Sequence, residues 1–430
     1  MKDNSTFREA EPGWANACVG NNGNPSYVEY SRGFSQAANL LIELVLNDSG
    51  MNLSVDDLIY PVCFNMRHSV ELRLKGAIKE LSLIAELKNI RIEFDDAGSH
   101  DIGSIWEYFK SISERLDDRF ARINSVIDPT VLDIASVDAT GQTFRYPISN
   151  TSQKHLTEVA SINFRVLFKK FAELEENLDK LHQLTQFLCE EYQQGTFTGK
   201  LSRPQIYSVA KRLPPKSTWA GGALEPVKHA IRSEYGITSN DFGKVLGKIK
   251  SHYYLSSLID DPLPLLGISE ETILEFFDHW VRRHPIFRER HKIEIVNFSV
   301  LHKKSLVEDI IFSEKVWGEI YNQMRASLTP GVVAGLRSLF YFARENIFVE
   351  RYQLIYEYEL RASAAASDLE DELKHIFNKT NGLKNVLISL FALGRVDFAE
   401  ALISKYQLSY HFIDSARSRT LFAYPDCSGY

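Results

Sequence analysis

Cysteine is scarce in this sequence, and its few copies lie far apart. The 430 residues include four cysteines, none of which stands in a CxxC pair or at another zinc-like spacing: Cys18, Cys63, Cys189 and Cys427. Such spacing is typical of free thiols in a reducing cytosol rather than of a disulfide framework. We therefore expect a cytoplasmic protein without disulfides and without a cysteine-held metal ion.

Long apolar segments are also missing. The longest one, LLIELVLN at residues 40–47, has about half the length that a membrane-spanning helix needs. The amino-terminal stretch MKDNSTFREAEPGWANACVG lacks the apolar centre of a secretory signal peptide. The sequence thus predicts a protein without a membrane partner.

Positive charge is not in excess. The chain has 49 Lys and Arg residues against 56 Asp and Glu residues, which gives a net charge of −7. This balance excludes a generally polyanion-binding surface, so any contact with nucleic acid must use a local patch. The chain also lacks a Walker loop, a GxGxxG turn before a helix and a GxSxG elbow. We therefore expect no cofactor.

What the sequence does contain is helical periodicity. Apolar residues recur every three or four positions over most of the chain, and alternating runs are too short to build a sheet, so we predict an all-α protein. Turn-forming residues divide it into an irregular arm at 1–33, a helical bundle at 34–195, a linker at 196–222 and a second helical domain at 223–430. Within the bundle, one uninterrupted helix is predicted from about Ser152 to Gln194.

Residues 65–80, NMRHSVELRLKGAIKE, carry polar groups at unusual positions for a surface helix. At about 100° per residue, four side chains lie together at the edge of the apolar face: Arg67, His68, Glu71 and Lys75. Glu71 can pair with the cation four residues before it or four residues after it, which favours its ionised form. The cluster fits a structural network, a groove for an anionic ligand or an acid–base site, and the spacing alone leaves all three open.

Two further segments offer partners for this cluster. His100 and Asp101 stand at a predicted helix start, after a loop long enough to fold back beside the first helix. Arg145 lies on the turn TFRYP. The alternatives are that Asp101 is a helix-terminal acid and that Arg145 is a surface turn residue. We predict that Glu71, His100 and Arg145 share one pocket.

Three segments in this order resemble a bacterial group of the HEPN (higher eukaryotes and prokaryotes nucleotide-binding) superfamily. They are IYPVCFNMRHSVELRLKGAI, HDIGSIWEYF and DATGQTFRYP, within residues 35–195. The matching positions are Arg67, His68, Glu71, Leu72, Leu74, Lys75, His100, Asp101, Phe144, Arg145, Tyr146 and Pro147. The resemblance implies an HEPN-like up-and-down helical bundle that acts as a metal-independent ribonuclease or as a binding module, often in toxin or phage-defence systems.

The sequence departs from the ribonuclease members of that superfamily, which carry an Arg and a His four to six residues apart on one helix. None of the 12 histidines here has an Arg at that distance upstream. Arg67 and His68 are adjacent, so they point about 100° apart on a helix. We therefore expect a binding or accessory protein for RNA or a nucleotide, without its own catalysis. The alternative is a metal-independent endoribonuclease that uses Arg67, His68 and His100.

One stretch, at residues 279–304, concentrates basic residues. Its binding candidates are Arg282, Arg283, Arg288 and Arg290, and aromatic residues such as Trp280 lie between the charges, as in a single-stranded nucleic-acid platform. The alternative is a solvated helix end above buried aromatics. We expect no metal site at the three histidines of this stretch, because Pro285 interrupts the helix and no acid or cysteine has a suitable spacing.

The carboxyl-terminal half is rich in aromatics. The segment SLFYFARENIFVERYQLIYEYEL, at residues 338–360, fits a buried helix or one that faces a protein partner. An apolar face of the bundle also makes a homodimer a reasonable expectation, and the superfamily resemblance implies the same.

Overall fold

The computed structural model describes residues 4–20, 22–48, 51–95, 98–149, 152–284, 317–366 and 368–430. The described elements are helices, and β pairing among them is limited to one isolated bridge between Ile148 and Lys154. The prediction of an all-α protein is confirmed. The chain forms two compact units, residues 1–190 with 427–429 (unit 1) and residues 191–426 with Tyr430 (unit 2). None of the described helices is long and apolar enough to cross a membrane.

Unit 1 contains the long helices of the amino-terminal half. They are α1 (Tyr27–Asp48), α2 (Val55–Leu87), α3 (Ile102–Leu116), α4 (Phe120–Asp138) and α5 (Phe164–Gln193), of which α5 enters unit 2 from Glu191 onward. Helix α2 begins at Val55, because Ser54 Oγ accepts a hydrogen bond from the backbone N–H of Asp57 at 3.2 Å. Pro61 lies within α2 and does not end it.

The core of unit 1 forms around α2. Helix α1 packs along α2, and α3 packs against both α2 and α4. Large apolar side chains from these helices are fully buried, among them Ile42, Leu74, Trp106, Phe109 and Phe120. Burying each of them contributes roughly 1.5–3 kcal/mol, so α2 is held firmly on its apolar side.

Two helix starts in unit 1 differ from the sequence prediction. Helix α1 begins at Tyr27, inside the segment predicted as an irregular arm, because Ser26 and Glu29 cap each other: Val28 N–H donates to Ser26 Oγ at 3.1 Å and Ser26 N–H donates to Glu29 Oε2 at 2.7 Å. Helix α5 begins at Phe164 instead of near Ser152. Asn163 Oδ1 accepts hydrogen bonds from the N–H groups of Arg165 and Val166, in the first turn of α5, at 2.9 and 3.2 Å.

Unit 2 is built from shorter helices. They are α6 (Arg203–Arg212), α7 (Leu224–Tyr235), α8 (Ser239–Ser251), α9 (Tyr253–Ser257), α10 (Glu270–Arg283), α11 (Pro330–Phe342), α12 (Arg351–Ala365), α13 (Leu369–Phe377), α14 (Gly382–Ala392), α15 (Val396–Tyr406) and α16 (Ile413–Arg417). Residues 317–324 are helical as well. Thr238 and Ser269 are the amino-terminal caps of α8 and α10.

Two segments of unit 2 depart from the sequence interpretation. The stretch predicted as a linker, 196–222, contains α6, whose apolar residues Ile206 and Val209 are buried. The aromatic segment at 338–360, interpreted as one helix, is the end of α11, a turn and the start of α12. Leu339 and Phe340 of this segment are buried, whereas Leu354 and Tyr358 are exposed, so it is neither fully buried nor fully exposed.

A buried arginine joins several parts of unit 2. Arg203 donates hydrogen bonds to both carboxylate oxygens of Glu350, each at 3.0 Å, and to the hydroxyls of Tyr207, Tyr424 and Tyr430, at 2.7–2.8 Å. These five bonds use all five N–H groups of the guanidinium. Arg203 is therefore a structural group.

Candidate functional site

The polar side chains predicted to cluster on α2 do lie together, and they are more buried than their predicted position at the edge of the apolar face suggested. Arg67, Glu71 and Lys75 are buried, with 3–4% of each residue exposed. Glu71 lies between the two cations: Arg67 Nη1 donates to Glu71 Oε2, and Lys75 Nζ lies 3.1 Å from Glu71 Oε1. The carboxylate is thus held from both sides along the same helix, as the i, i+4 spacing predicted.

Arg67 also connects α2 with two other helices. Its Nε donates to the backbone carbonyl of Asp138 at 3.1 Å, and Nη2 donates to the carbonyl of Ala139 at 2.7 Å and to that of His100. The first two carbonyls belong to the end of α4, where backbone oxygens lack helical partners. Arg67 therefore satisfies the end of α4 while fixing the residue before the amino-terminal cap of α3.

The loop after α4 closes over Arg67. Asp138 Oδ1 accepts a hydrogen bond from the N–H of Thr143 at 3.1 Å. Between them, Gly141 has φ of +75°, and a Cβ atom placed there would lie 3.2 Å from Arg67 Nη1. This position needs glycine for two reasons, the left-handed backbone and the close approach of the guanidinium.

Two histidines share the Glu71 carboxylate. His100 Nδ1 lies 3.1 Å from Glu71 Oε1, and His68 Nδ1 lies 3.8 Å from Glu71 Oε2. The His68 ring stacks on Phe64, with 5.7 Å between ring centroids, and meets the Phe34 ring edge-on. In contrast to the buried groups of α2, 60% of the His100 side chain and 29% of the His68 side chain are exposed. The imidazoles are the parts of the cluster that a ligand can reach.

Glu71 stays ionised in this environment. Burial by itself would raise the pKa of the Glu71 carboxyl, but the nearby His68 imidazole, the hydrogen bond and charge of Arg67, and the contact with His100 outweigh it and hold that pKa well below its usual range. The carboxylate is therefore a fixed negative charge that orients its neighbours.

Arg145 stands on the turn predicted from TFRYP. The turn is closed by a hydrogen bond from the N–H of Tyr146 to the carbonyl of Gln142, at 3.0 Å. The Arg145 guanidinium lies 5.4 Å from the ring centroids of both Phe64 and Tyr146. It makes no hydrogen bond or ion pair with any residue that the structure describes. Its N–H donors are available to a ligand.

These groups line one pocket of about 620 Å³, which we call the His–Arg pocket. Its lining residues are Phe64, Arg67, His68, Glu71, His100, Thr140, Gly141, Gln142 and Arg145. Lys75 lies behind Glu71 and does not line it. Asp101 is the cap of α3, with Oδ1 accepting from Ser104 N–H at 2.9 Å, so the helix-terminal alternative describes this residue. The pocket thus contains Glu71, His100 and Arg145 together.

Sequence reasoning missed the aromatic wall and the loop that complete this pocket. The Phe64 ring stacks on His68 and lies under the Arg145 guanidinium. Because Phe64 stands one turn before His68 on α2, its contact with that histidine could have been predicted from the sequence. The backbone of Thr140, Gly141 and Gln142 had no signal beyond a turn-forming composition.

The basic candidates of the carboxyl-terminal half belong to unit 2 and lie apart from this pocket in the chain. Arg283 donates to Asn378 Oδ1 at 2.6 Å, and Arg282 lies 3.6 Å from Glu319. Trp280 is fully buried and donates to the carbonyl of Lys379, so it is a core residue and not an exposed stacking platform. The other two candidates, Arg288 and Arg290, lie outside the described residues. Among the described residues, no group of three or more His, Cys, Asp or Glu side chains is arranged to hold a metal ion.

Comparison with known proteins gives no relative for this chain: no protein-family model matches it, no curated protein matches it and no solved structure matches it. The HEPN-like resemblance of residues 35–195 therefore stays a prediction that depends on the motifs.

We predict that Gly141→Ala destabilises the protein more than Gly195→Ala does. Both glycines have nearly the same positive φ, +75° and +73°, so both substitutions cost about 1–2 kcal/mol of backbone strain. A Cβ at Gly195 meets nothing within 4 Å, whereas one at Gly141 crowds Arg67. Thermal unfolding of the two variants measures the difference. Equal melting temperatures would mean that the loop does not press on Arg67.

We also predict that Glu71→Gln costs about 3 kcal/mol at pH 7, because it leaves the buried Arg67 without its counter-charge. The folded-state pKa of Glu71 lies below its unfolded value, so the carboxylate stabilises the fold above the unfolded pKa and loses this effect as the pH falls through the folded one. Urea unfolding of wild type and variant should therefore differ constantly from pH 6 to 8, and the difference should shrink below about pH 4.5. A difference that does not change with pH would contradict the assignment.

Proposed function

We propose that unit 1 binds a phosphate group of RNA or a nucleotide in the His–Arg pocket and does not cleave it. The observation that carries this proposal is Arg145, an exposed guanidinium over the pocket with no hydrogen-bond or ion-pair partner among the described residues. Arginine presents its N–H groups in a planar fork that matches a phosphate, and such contacts are stronger than neutral hydrogen bonds.

The charges around the pocket support an anionic ligand. Among the residues that line the pocket, Arg67 and Arg145 are positive and Glu71 is negative, which leaves one positive charge in excess in a chain of net charge −7. A concave site with one sign of charge attracts the opposite charge from solution. This is the local patch that the overall charge balance required.

The histidines add hydrogen-bonding capacity. Because Nδ1 of each ring faces Glu71, Nε2 is the ring nitrogen that a ligand can contact. A carboxylate that holds an imidazole in one orientation is a common way to prepare it for a ligand.

Arg67 argues against catalysis of the usual superfamily kind. Its guanidinium is buried and already donates to Glu71 and to the carbonyls of His100, Asp138 and Ala139. It therefore has little capacity left to stabilise the charge that develops on a phosphate during RNA cleavage. This saturation supports binding without turnover.

The motifs allow a wider proposal about biological setting. If the HEPN-like resemblance is correct, the protein serves in a bacterial phage-defence or toxin-type system, in the cytoplasm, as a homodimer or with a protein partner on the carboxyl-terminal helices. These assignments come from the resemblance, from the expected apolar face of the bundle and from the aromatic segment at 338–360. Gene neighbours that encode a nuclease, an ATPase or a toxin partner would support them.

The test of binding is the Arg145→Ala variant. We expect it to weaken binding of a fluorescein-labelled RNA oligonucleotide at least tenfold, because one direct phosphate contact is lost, and to lower the salt dependence by about one counterion. Fluorescence anisotropy at several salt concentrations measures both effects. Arg122→Ala is the control, since Arg122 is an exposed arginine of α4 that lines no part of the pocket. Equal affinities of the two variants would refute the proposal.

A metal-independent endoribonuclease is the second candidate, and one observation favours it. His68 on α2 and His100 in the loop before α3 face the same carboxylate, as an acid–base pair needs. We expect pure protein, incubated with labelled RNA in the presence of a chelator, to give no cleavage products on a gel. Cleavage that disappears in both His68→Ala and His100→Ala would establish the nuclease instead.

A further inference from the structure

A second pocket of about 670 Å³ adjoins the His–Arg pocket. Both are lined by α2: residues 55–60 line the second pocket, and residues 64–71 line the first. Both are also lined by the loop after α4, with 140–142 in the first and 143–147 in the second. Arg145 lines both pockets, so the two lie next to each other along α2, and we call them together the groove along α2.

The second pocket has an aromatic and basic character. Its aromatic lining residues include Tyr60 and Tyr146, and its Lys, Arg, Asp and Glu residues are Arg145 and Lys154 against Asp56. Tyr60 is 47% exposed and Tyr146 is 49% exposed, so both rings offer a face to a ligand. Aromatic side chains beside cationic ones are the combination that binds single-stranded nucleic acid, where stacking of one base contributes roughly 1–3 kcal/mol.

The dimensions of the groove match more than one nucleotide. Tyr60 and His68 are eight residues apart on α2, which corresponds to about 12 Å at 1.5 Å per residue. A stacked strand advances roughly 3.4 Å per nucleotide, so the distance from the aromatic part to the histidines exceeds one step.

We infer that the groove along α2 binds a single-stranded oligonucleotide, with a phosphate on Arg145 and a neighbouring base on Tyr60 and Tyr146. This inference rests on the proposed function, to which it adds the strandedness and minimum length of the ligand. A duplex is excluded as the preferred ligand because its bases already stack on each other and offer no free face.

The experiment compares ligands and variants by fluorescence anisotropy of the full chain. The probes are a fluorescein-labelled mixed-sequence RNA octamer and the same octamer annealed to its complement. We expect the single strand to bind at least tenfold more tightly than the duplex. The double variant Tyr60→Leu/Tyr146→Leu should lose at least tenfold in affinity for the single strand, whereas Tyr60→Phe/Tyr146→Phe should retain it, because phenylalanine keeps the ring face.

Tyr30→Leu is the matched control, since Tyr30 is a 56% exposed tyrosine of α1 that lines neither pocket. Circular dichroism confirms that each variant keeps its helix content. If Arg145→Ala abolishes binding but the double leucine variant binds normally, the base-stacking inference is wrong and the phosphate-binding proposal stands. If the octamer does not bind the wild type, or binds it regardless of Arg145, both are wrong.

Discussion

One buried ion pair determines the geometry of unit 1. Arg67 and Glu71 lie on the same helix with almost no exposure, and each would be costly to bury alone. The pair is tolerated because three further donors of Arg67 are taken by backbone carbonyls at the end of α4 and before α3. Three helices are thereby held at one guanidinium, and the orientation of Glu71, and through it of His68 and His100, follows from this arrangement.

Burial distinguishes the two arginines of the pocket: Arg67 is buried and has a structural role, whereas Arg145 is exposed and can bind a ligand. Arg67 is conspicuous in the sequence, yet its hydrogen bonds are made within the protein. Arg145 lies on a turn, and among the described residues its guanidinium pairs with the rings of Phe64 and Tyr146 and has no hydrogen-bond or ion-pair partner. Arg203 of unit 2 shows the opposite extreme, with all five donors used by Glu350 and three tyrosines.

The parts of this arrangement that sequence reasoning could predict are the local ones. Helix periodicity and i, i+4 spacing predicted the pairing of Glu71, and the helix start predicted at His100 and Asp101 is the start of α3. The backbone acceptors of Arg67 come from residues 33, 71 and 72 positions away, which no local pattern reveals. The start of α1 could have been predicted from Ser26 and Glu29, a pair of residues that commonly caps a helix. The start of α5 at Phe164 depends on a single asparagine, Asn163.

The non-helical segment before α5 also explains why the second pocket was not foreseen. Residues 152–163 were predicted to form the first part of the long helix, but they are not helical, and residues 154–156 and 159–162 line the second pocket together with α2. A helix there would present a ridge of side chains every three to four residues, whereas the irregular path leaves a groove beside α2. Tyr60, Arg145 and Tyr146 all line this groove. The non-helical path of residues 152–163, which the sequence did not predict, therefore leaves room for a ligand.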